Sequence, residues 1–263
     1  MKRFYRIEHR GSARHVVEEN GTGVWHLVEG DIFGSWKTGD TVPSSGHRLL
    51  APVTPSKIVA VGLNYKDHAA EVKKPLPAEP LLFLKPSTAV IGPGDEIIIP
   101  EGAGRIDHEA EMGVVIGATA SGVSEAEAAK HVFGITCVND VTARELQAKD
   151  VQYTRAKGFD TFAPIGPCIA TELAYDSSDG LAVEGWVNGT RRQFSSTREL
   201  IFPVTKLIAF ISAVMTLLPG DIITTGTPSG IGPLAPGDRV TIKVQGVGEL
   251  TNPVGVSAKQ RRI

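Results

Sequence analysis

The stretch Ile106-Asp-His-Glu-Ala-Glu-Met-Gly-Val-Val-Ile116 constrains this chain most, because it brings acidic side chains into an apolar run with the character of a buried strand. Residues two apart on a strand share a face, so Glu109 and Glu111 project side by side while Met112, Val114 and Ile116 continue into a core. Two adjacent carboxylates repel each other, and burial raises the pKa of one until it takes up a proton. A divalent cation lets both stay ionised and gives each a bond. Glu-x-Glu is therefore read as half of a metal site, although the same pattern facing solvent needs no ion.

A second acidic strand end supplies the other half. Gly134-Ile-Thr-Cys-Val-Asn-Asp140 is an apolar run ending in a carboxylate just before Thr142-Ala-Arg-Glu145, which has the form of a capping box. Asp140 is open to two roles, capping that helix or acting as third ligand beside Glu109 and Glu111. Three oxygen ligands without a soft donor favour Mg²⁺ or Mn²⁺ over zinc and leave positions for water and substrate. Lys85 interrupts the apolar strand Leu81-Leu-Phe-Leu-Lys-Pro86 and is either an edge residue or a partner for the acids. Lys157 lies in a polar loop and by itself reads as a solvated lysine.

The strand Lys57-Ile-Val-Ala-Val-Gly62 feeds into Leu63-Asn-Tyr-Lys-Asp-His-Ala-Ala-Glu71, where a helical turn puts His68 and Glu71 on one face. A carboxylate beside an imidazole fixes its tautomer and raises its basicity; the plain alternative is a surface ion pair. The following Val72 to Pro80 holds three prolines and few apolar anchors, the make-up of a mobile cover. Further on, Ser124-Glu-Ala-Glu127 has the form of a capping box for a helix over 125–132, and Pro203 introduces an apolar helix over 204–217. Asp221-Ile-Ile-Thr-Thr-Gly-Thr-Pro-Ser-Gly-Ile-Gly232 runs into a Gly-rich loop with neither Gly-x-Gly-x-x-Gly nor P-loop spacing, which excludes those nucleotide motifs. Its amides and Thr227 suit a small carboxylate instead. One last strand, over 238–244, is expected before a polar tail, Lys259-Gln-Arg-Arg262.

Before Pro55 the chain shows short alternating segments with Gly punctuation, the Asn20-Gly21 hairpin being the clearest. Residues 1–55 are assigned to a small N-terminal β-domain and linker, and 56–263 to the larger unit. His9, His15, His26 and His47 lack metal-ligand spacing. A net charge of −2, from 27 basic and 29 acidic residues, gives no footprint for nucleic acid or an anionic membrane. No run is apolar enough to span a bilayer, and Cys137 and Cys168 read as buried hydrophobes in a reducing compartment. The expectation is a cytoplasmic protein.

Six blocks stand in order: Gly-Leu-Asn-Tyr-Lys-Asp-His68, Phe-Leu-Lys-Pro86, His-Glu-Ala-Glu111, Asn-Asp-Val-Thr-Ala-Arg-Glu145, Ala-Lys-Gly-Phe159 and Thr-Gly-Thr-Pro-Ser-Gly-Ile-Gly232. Together they make the segment from Ile58 to Val254 resemble the catalytic domain of the fumarylacetoacetate hydrolase family. The resemblance implies an α+β, β-rich fold, a rolled mixed β-sandwich with a small N-terminal β-domain, working as a homodimer. It implies Mg²⁺ or Mn²⁺ on Glu109, Glu111 and Asp140, a His68/Glu71 acid–base dyad on a lid, and Lys157 beside the metal orienting water or substrate. Gln147 and Thr227 become substrate contacts by the same resemblance. The chain departs from it at Leu63, where some acylpyruvate-cleaving and oxaloacetate-decarboxylating relatives carry an arginine that would clamp a carboxylate.

The implied activity is metal-dependent cleavage of a C–C bond in a 2-oxo acid. The substrate chelates the cation, His68 activates water against the distal carbonyl of an acylpyruvate, and an enolate leaves. Oxaloacetate decarboxylation reaches the same enolate. The alternative is a 2-hydroxyhepta-2,4-diene-1,7-dioate isomerase or a decarboxylase of aromatic catabolism. A third reading, a non-catalytic binding protein for small dicarboxylates, gives the dyad no task.

Overall fold

Residues 1–256 are described in the computed structural model; the polar tail Lys259 to Arg262 lies outside the described residues. Strand alternation builds two cores on the two faces of one sheet. In Ala110–Ile116 every residue is buried. Met112, Val114 and Ile116 share a core with Cys137, Cys168, Val183, Ile242 and Leu250. Val115, on the opposite face, packs with Phe4, Val17, Val138, Ile165 and Ile222. Burying an aliphatic side chain of this size is worth roughly 1.5–3 kcal/mol, so this strand is pinned in register from both sides.

The large sheet has 12 strands. Its central order is Lys2–His9, Ala163–Ala170, Val132–Asn139, Ala110–Ile116, Ile222–Thr224, Ile58–Gly62 and Leu81–Lys85. Most pairs are antiparallel, but Ile222–Thr224 runs parallel to Ile58–Gly62, which makes the sheet mixed. A five-stranded sheet, Thr190–Ser196, Ala182–Val187, Arg239–Val244, Gly248–Val256 and Ile97–Ile99, packs over the middle of the large one. Few helices occur, and the longest is Val204–Val214. This is the β-rich α+β roll expected from the sequence. The N-terminal strands form a meander that extends the large sheet, with Arg3 and Phe4 paired to Ala170 and Ile169. Among the described residues no helix is long and apolar enough to cross a membrane.

Local structure corrects several expectations. The acidic strand is two strands: Ile106–His108 belongs to a small three-stranded sheet, Ala110–Ile116 to the large one, and Glu109 sits at the break. Neither capping box forms. Ser124 and Ala143 occupy the N-cap positions without a side-chain cap: Glu127 bonds Lys130, and Ala143 has no side chain that could cap. Asp140 therefore does not cap the helix Arg144–Lys149. The helix expected over 125–132 is Glu125–Ala128 followed by a 3-10 turn, Ala129–His131, and the apolar helix stops at Val214. A further strand, Gly248–Val256, follows the one expected to be last, because Val247 and Leu250 bury under the five-stranded sheet. The tightest N-terminal turn is Arg10-Gly11, both at positive φ, while Asn20-Gly21 begins a longer connection.

Candidate active site

The break at Glu109 is held by Asn139 and Asp140. Asn139 Oδ1 accepts from the Glu109 amide at 3.0 Å, and the Asp140 amide donates to the Glu109 carbonyl at 3.0 Å. The chain thus turns where two strand ends meet, and the carboxylate oxygens of Glu109, Glu111 and Asp140 come within 4.8 Å of one another. All three are buried, with exposures of 5%, 2% and 1%.

Three cations stand around them. Lys157 Nζ donates to Glu109 Oε2 and to Asp140 Oδ2, each at 2.7 Å. Lys85 Nζ donates to Asp140 Oδ1 at 2.6 Å and to the carbonyls of Val141 and Lys157. This places Lys85 with the acids, not on an exposed edge. Arg144 bonds Glu109 Oε1 and, through Nε, Asp107 Oδ2 at 2.8 Å. Burial opposes the charge of Glu109, but Lys157 and then Arg144 overcome it and hold the carboxyl well below the usual range. Burial also opposes the charge of Lys157, yet Asp140 and Glu109 together raise its pKa. Lys85 has one acid in contact and burial prevails, lowering it.

Glu111 is the exception. Among the described residues its one hydrogen-bond donor is the Gly226 amide, at 2.8 Å from Oε2. Burial first, then the charges of Asp140 and Glu109, push it well above the ordinary carboxylate range. A buried acid with this little compensation fits a divalent cation, and an all-oxygen donor set fits Mg²⁺ or Mn²⁺. Gly226 is required for this contact: its φ is +93°, and a Cβ would come within 2.8 Å of Asn64 Cβ.

His68 and Glu71 lie on the short helix Lys66–Glu71. His68 Nδ1 meets Glu71 Oε2 at 2.8 Å, and Glu71 Oε1 accepts from the Gly230 amide at 2.9 Å. A carboxylate only accepts, so the Nδ1 hydrogen is on His68, and the neutral tautomer carries its lone pair on Nε2. Two amides of the Gly-rich loop are thereby committed to Glu111 and Glu71. His68, Glu109, Glu111, Asp140, Gln147, Lys157 and Thr227 all line one cavity of about 500 Å³. Glu71 stands behind His68. Part of the wall is apolar, with Leu63, Leu81, Phe83, Ala148, Tyr153 and Ile231; Phe83 and Tyr153 meet edge to face at 5.6 Å, and Lys157 Nζ stands 5.0 Å from the centre of the Phe83 ring.

Arg144, Tyr153 and Leu63 are cavity residues that reading the sequence does not single out from local pattern. Arg144 lies in a recognisable block four residues after Asp140, the one local signal for it. His108 stands in the His-Glu-Ala-Glu111 block, whereas Gln193 has no local signal: it reaches the site from the five-stranded sheet, 85 residues away from His108 in sequence. The two cysteines are free and buried, as expected.

The family model for the C-terminal domain of fumarylacetoacetate hydrolase matches residues 57–255. An uncharacterized protein of Archaeoglobus fulgidus is 53% identical over 214 residues, which is 81% of this chain and 84% of that one. A crystal structure described as 2-hydroxyhepta-2,4-diene-1,7-dioate isomerase from Mycobacterium marinum superposes with a TM-score of 0.89 at 40% identity, over 98% of this chain and all (100%) of that one. Maleylpyruvate hydrolase from Sphingobium sp. SYK-6, solved with manganese(II) and pyruvate, superposes with a TM-score of 0.80 at 30% identity, over 97% and 99% of the two chains.

Proposed function

The chain belongs to the fumarylacetoacetate hydrolase family, and from that premise we propose that it hydrolyses a C–C bond in a 2-oxo acid of the acylpyruvate type. The observation that carries the reading is a single cavity lined by both the buried acid triad and His68, which Glu71 holds at 2.8 Å. A Mg²⁺ or Mn²⁺ ion held by Glu109, Glu111 and Asp140 would supply positive charge for the enolate that forms as the bond breaks.

The chain's own residues do the rest. Gln147 Oε1 accepts from Arg144 Nη1 at 2.9 Å, so its amide hydrogens are the ones free to hold the substrate carboxylate. His68 Nε2 takes a proton from water, and the hydroxide attacks the carbonyl distal to the carboxylate. The tetrahedral adduct collapses with its C–C bonding pair leaving on the pyruvate carbon, and the proton returns from His68 to that carbon or to solvent. Lys157 and Arg144 keep Glu109 ionised, and Lys85 and Lys157 hold Asp140 in place throughout. The apolar wall fits an uncharged acyl arm, with Leu63 where a clamping arginine would favour a second carboxylate. Decarboxylation of oxaloacetate would pass through the same enolate.

Turnover of acylpyruvates in H₂¹⁸O with added Mn²⁺ tests the proposal. Hydrolysis puts one solvent oxygen into the carboxylic acid product. A second reading, isomerisation of a hydroxydienoate, is favoured by the 40% identity to the Mycobacterium marinum isomerase. It uses His68 only as a proton shuttle and incorporates no solvent oxygen.

A further inference from the structure

Behind the acid strand lies a network whose every hydrogen can be assigned. Gln193, on the strand Thr190–Ser196 of the second sheet, is fully buried. Its Oε1 is 2.9 Å from the Ala110 amide, and its Nε2 is 2.8 Å from the Pro228 carbonyl. An N–H can only donate and a carbonyl can only accept, so the orientation of the Gln193 amide is forced. Two consequences follow. His108 Nδ1, 3.0 Å from the same Oε1, must carry the hydrogen. Its Nε2, buried without a partner among the described residues, is then a bare lone pair, which costs less to leave unmade than an orphaned N–H.

The second consequence reaches the cavity. Gln193 Nε2 also donates to Thr227 Oγ1 at 2.8 Å, and Thr227 Oγ1 lies 3.0 Å from the Ala110 carbonyl, which can only accept. The hydroxyl has one hydrogen and two lone pairs. The hydrogen goes to Ala110, one lone pair goes to Gln193, and the remaining lone pair is left for the cavity that Thr227 lines. We propose that Gln193 is a positioning residue that fixes the polarity of Thr227, so that Thr227 accepts a hydrogen bond from an O–H or N–H of the ligand and does not donate to a carboxylate. Gln147 and Thr227 then divide the ligand between them, a donor for its carboxylate and an acceptor for its protonated group. In the proposed reaction the protonated group is the attacking water or an enol hydroxyl. The inference rests on that reading, which supplies both the ligand and the ion beside it.

Oxalate and oxamate are near-isosteric, and oxamate carries an NH₂ donor where oxalate carries an acceptor. Their affinities for the Mn²⁺-loaded protein, measured by calorimetry, give a ratio that reports the polarity of the site. Thr227→Val should lower the oxamate-to-oxalate ratio about tenfold, the worth of one hydrogen bond, and Thr227→Ser should keep it. Gln193→Met frees the hydroxyl to rotate and should lower the ratio too, with no further drop in the double variant. If Gln193→Met does not fold, Gln193→Ala, which leaves room for water at the Ala110 amide, must lower the ratio in its place. Equal loss of both ligands in Thr227→Val overturns the proposal, as does a ratio that either Gln193 variant leaves unchanged. A wild-type protein that binds no Mn²⁺ overturns this and the proposed function together. Mn²⁺ binding with an unchanged ratio overturns this inference alone.

Discussion

The two halves of the cavity are built by different means. On the acid side, Glu111 stands on a central strand and Glu109 and Asp140 at the ends of central strands, with Lys85, Lys157 and Arg144 locked against the latter two and the sandwich core directly beneath. On the His68 side, a helix of six residues is tied to the Gly-rich loop by Glu71 and Gly230, and the segment after it, Val72 to Pro80, is largely exposed. The acid side is fixed by burial and charge, so it can keep a repulsive cluster in one geometry. On the His68 side the helix buries only His68 and Ala69, and the exposed segment that follows can move without cost to the core. In the proposed reaction the charge-stabilising groups would stand on the rigid half and the proton-transfer group on the light half, the arrangement that closure over a substrate would require.

Removing the ion from the rigid half should have the largest effect. Chelation is expected to bring turnover to background, since the cation's share of transition-state stabilisation is about 5 kcal/mol or more, roughly 10⁴-fold. Mg²⁺ or Mn²⁺ should restore it in the wild type, and Glu111→Gln should prevent the restoration. Full activity after exhaustive chelation would break the comparison at its root. On the light half, His68→Ala and Glu71→Ala are expected to lower hydrolysis by roughly 10²–10⁴-fold while Mn²⁺ affinity, read by calorimetry, stays near the wild-type value. A matching loss of metal affinity would mean the halves are not separate.

Stability should divide the same way. Lys85→Met leaves a buried acid with one cation fewer, and breaking such a pair costs about 3–5 kcal/mol. Lys73→Ala and Lys74→Ala, in the exposed segment, should stay within about 0.5 kcal/mol of wild type. Urea unfolding of the three variants measures this, and equal midpoints would deny the difference in construction.

The rigid half was also the more legible in the sequence. Three acids at apolar strand positions signal their own cost, and Lys85 signalled the same from within Leu81–Lys85. What one strand pattern could not carry was the break at Glu109, because periodicity does not show that Asn139 and Asp140 would bond there in place of a continued ladder. The capping box at Thr142 failed for a local reason: Thr142 Oγ1 donates to the Asp140 carbonyl within the turn, and the helix starts after Ala143. Gln193 was invisible because its contacts come from a different sheet, and no local pattern encodes that meeting. The Gly248–Val256 strand was missed since its Gly, Thr, Asn and Pro read as a polar end, while Leu250 and Val254 bury beneath it.

The smallest effect expected is also the most direct measure of the contrast. Val72 and Leu76 are exposed, and Lys73 sits at positive φ, so little beyond three backbone bonds from Val72, Lys73 and Lys74 to the His68 helix holds the segment to Pro80. Its amides should exchange quickly in the free protein, whereas those of Ala110–Ile116, laddered on both sides, should exchange only with global unfolding. Oxalate with Mg²⁺ would give Lys74, which lines the cavity, an anion to face. Closure over it would exclude bulk water and strengthen every charge interaction inside. Protection over residues 68–80 should therefore rise with ligand while that of 110–116 stays the same. Strong and equal protection of 68–80 in both states would place His68 in a preformed rigid wall, and the two halves would then differ in their bonding but not in their freedom to move.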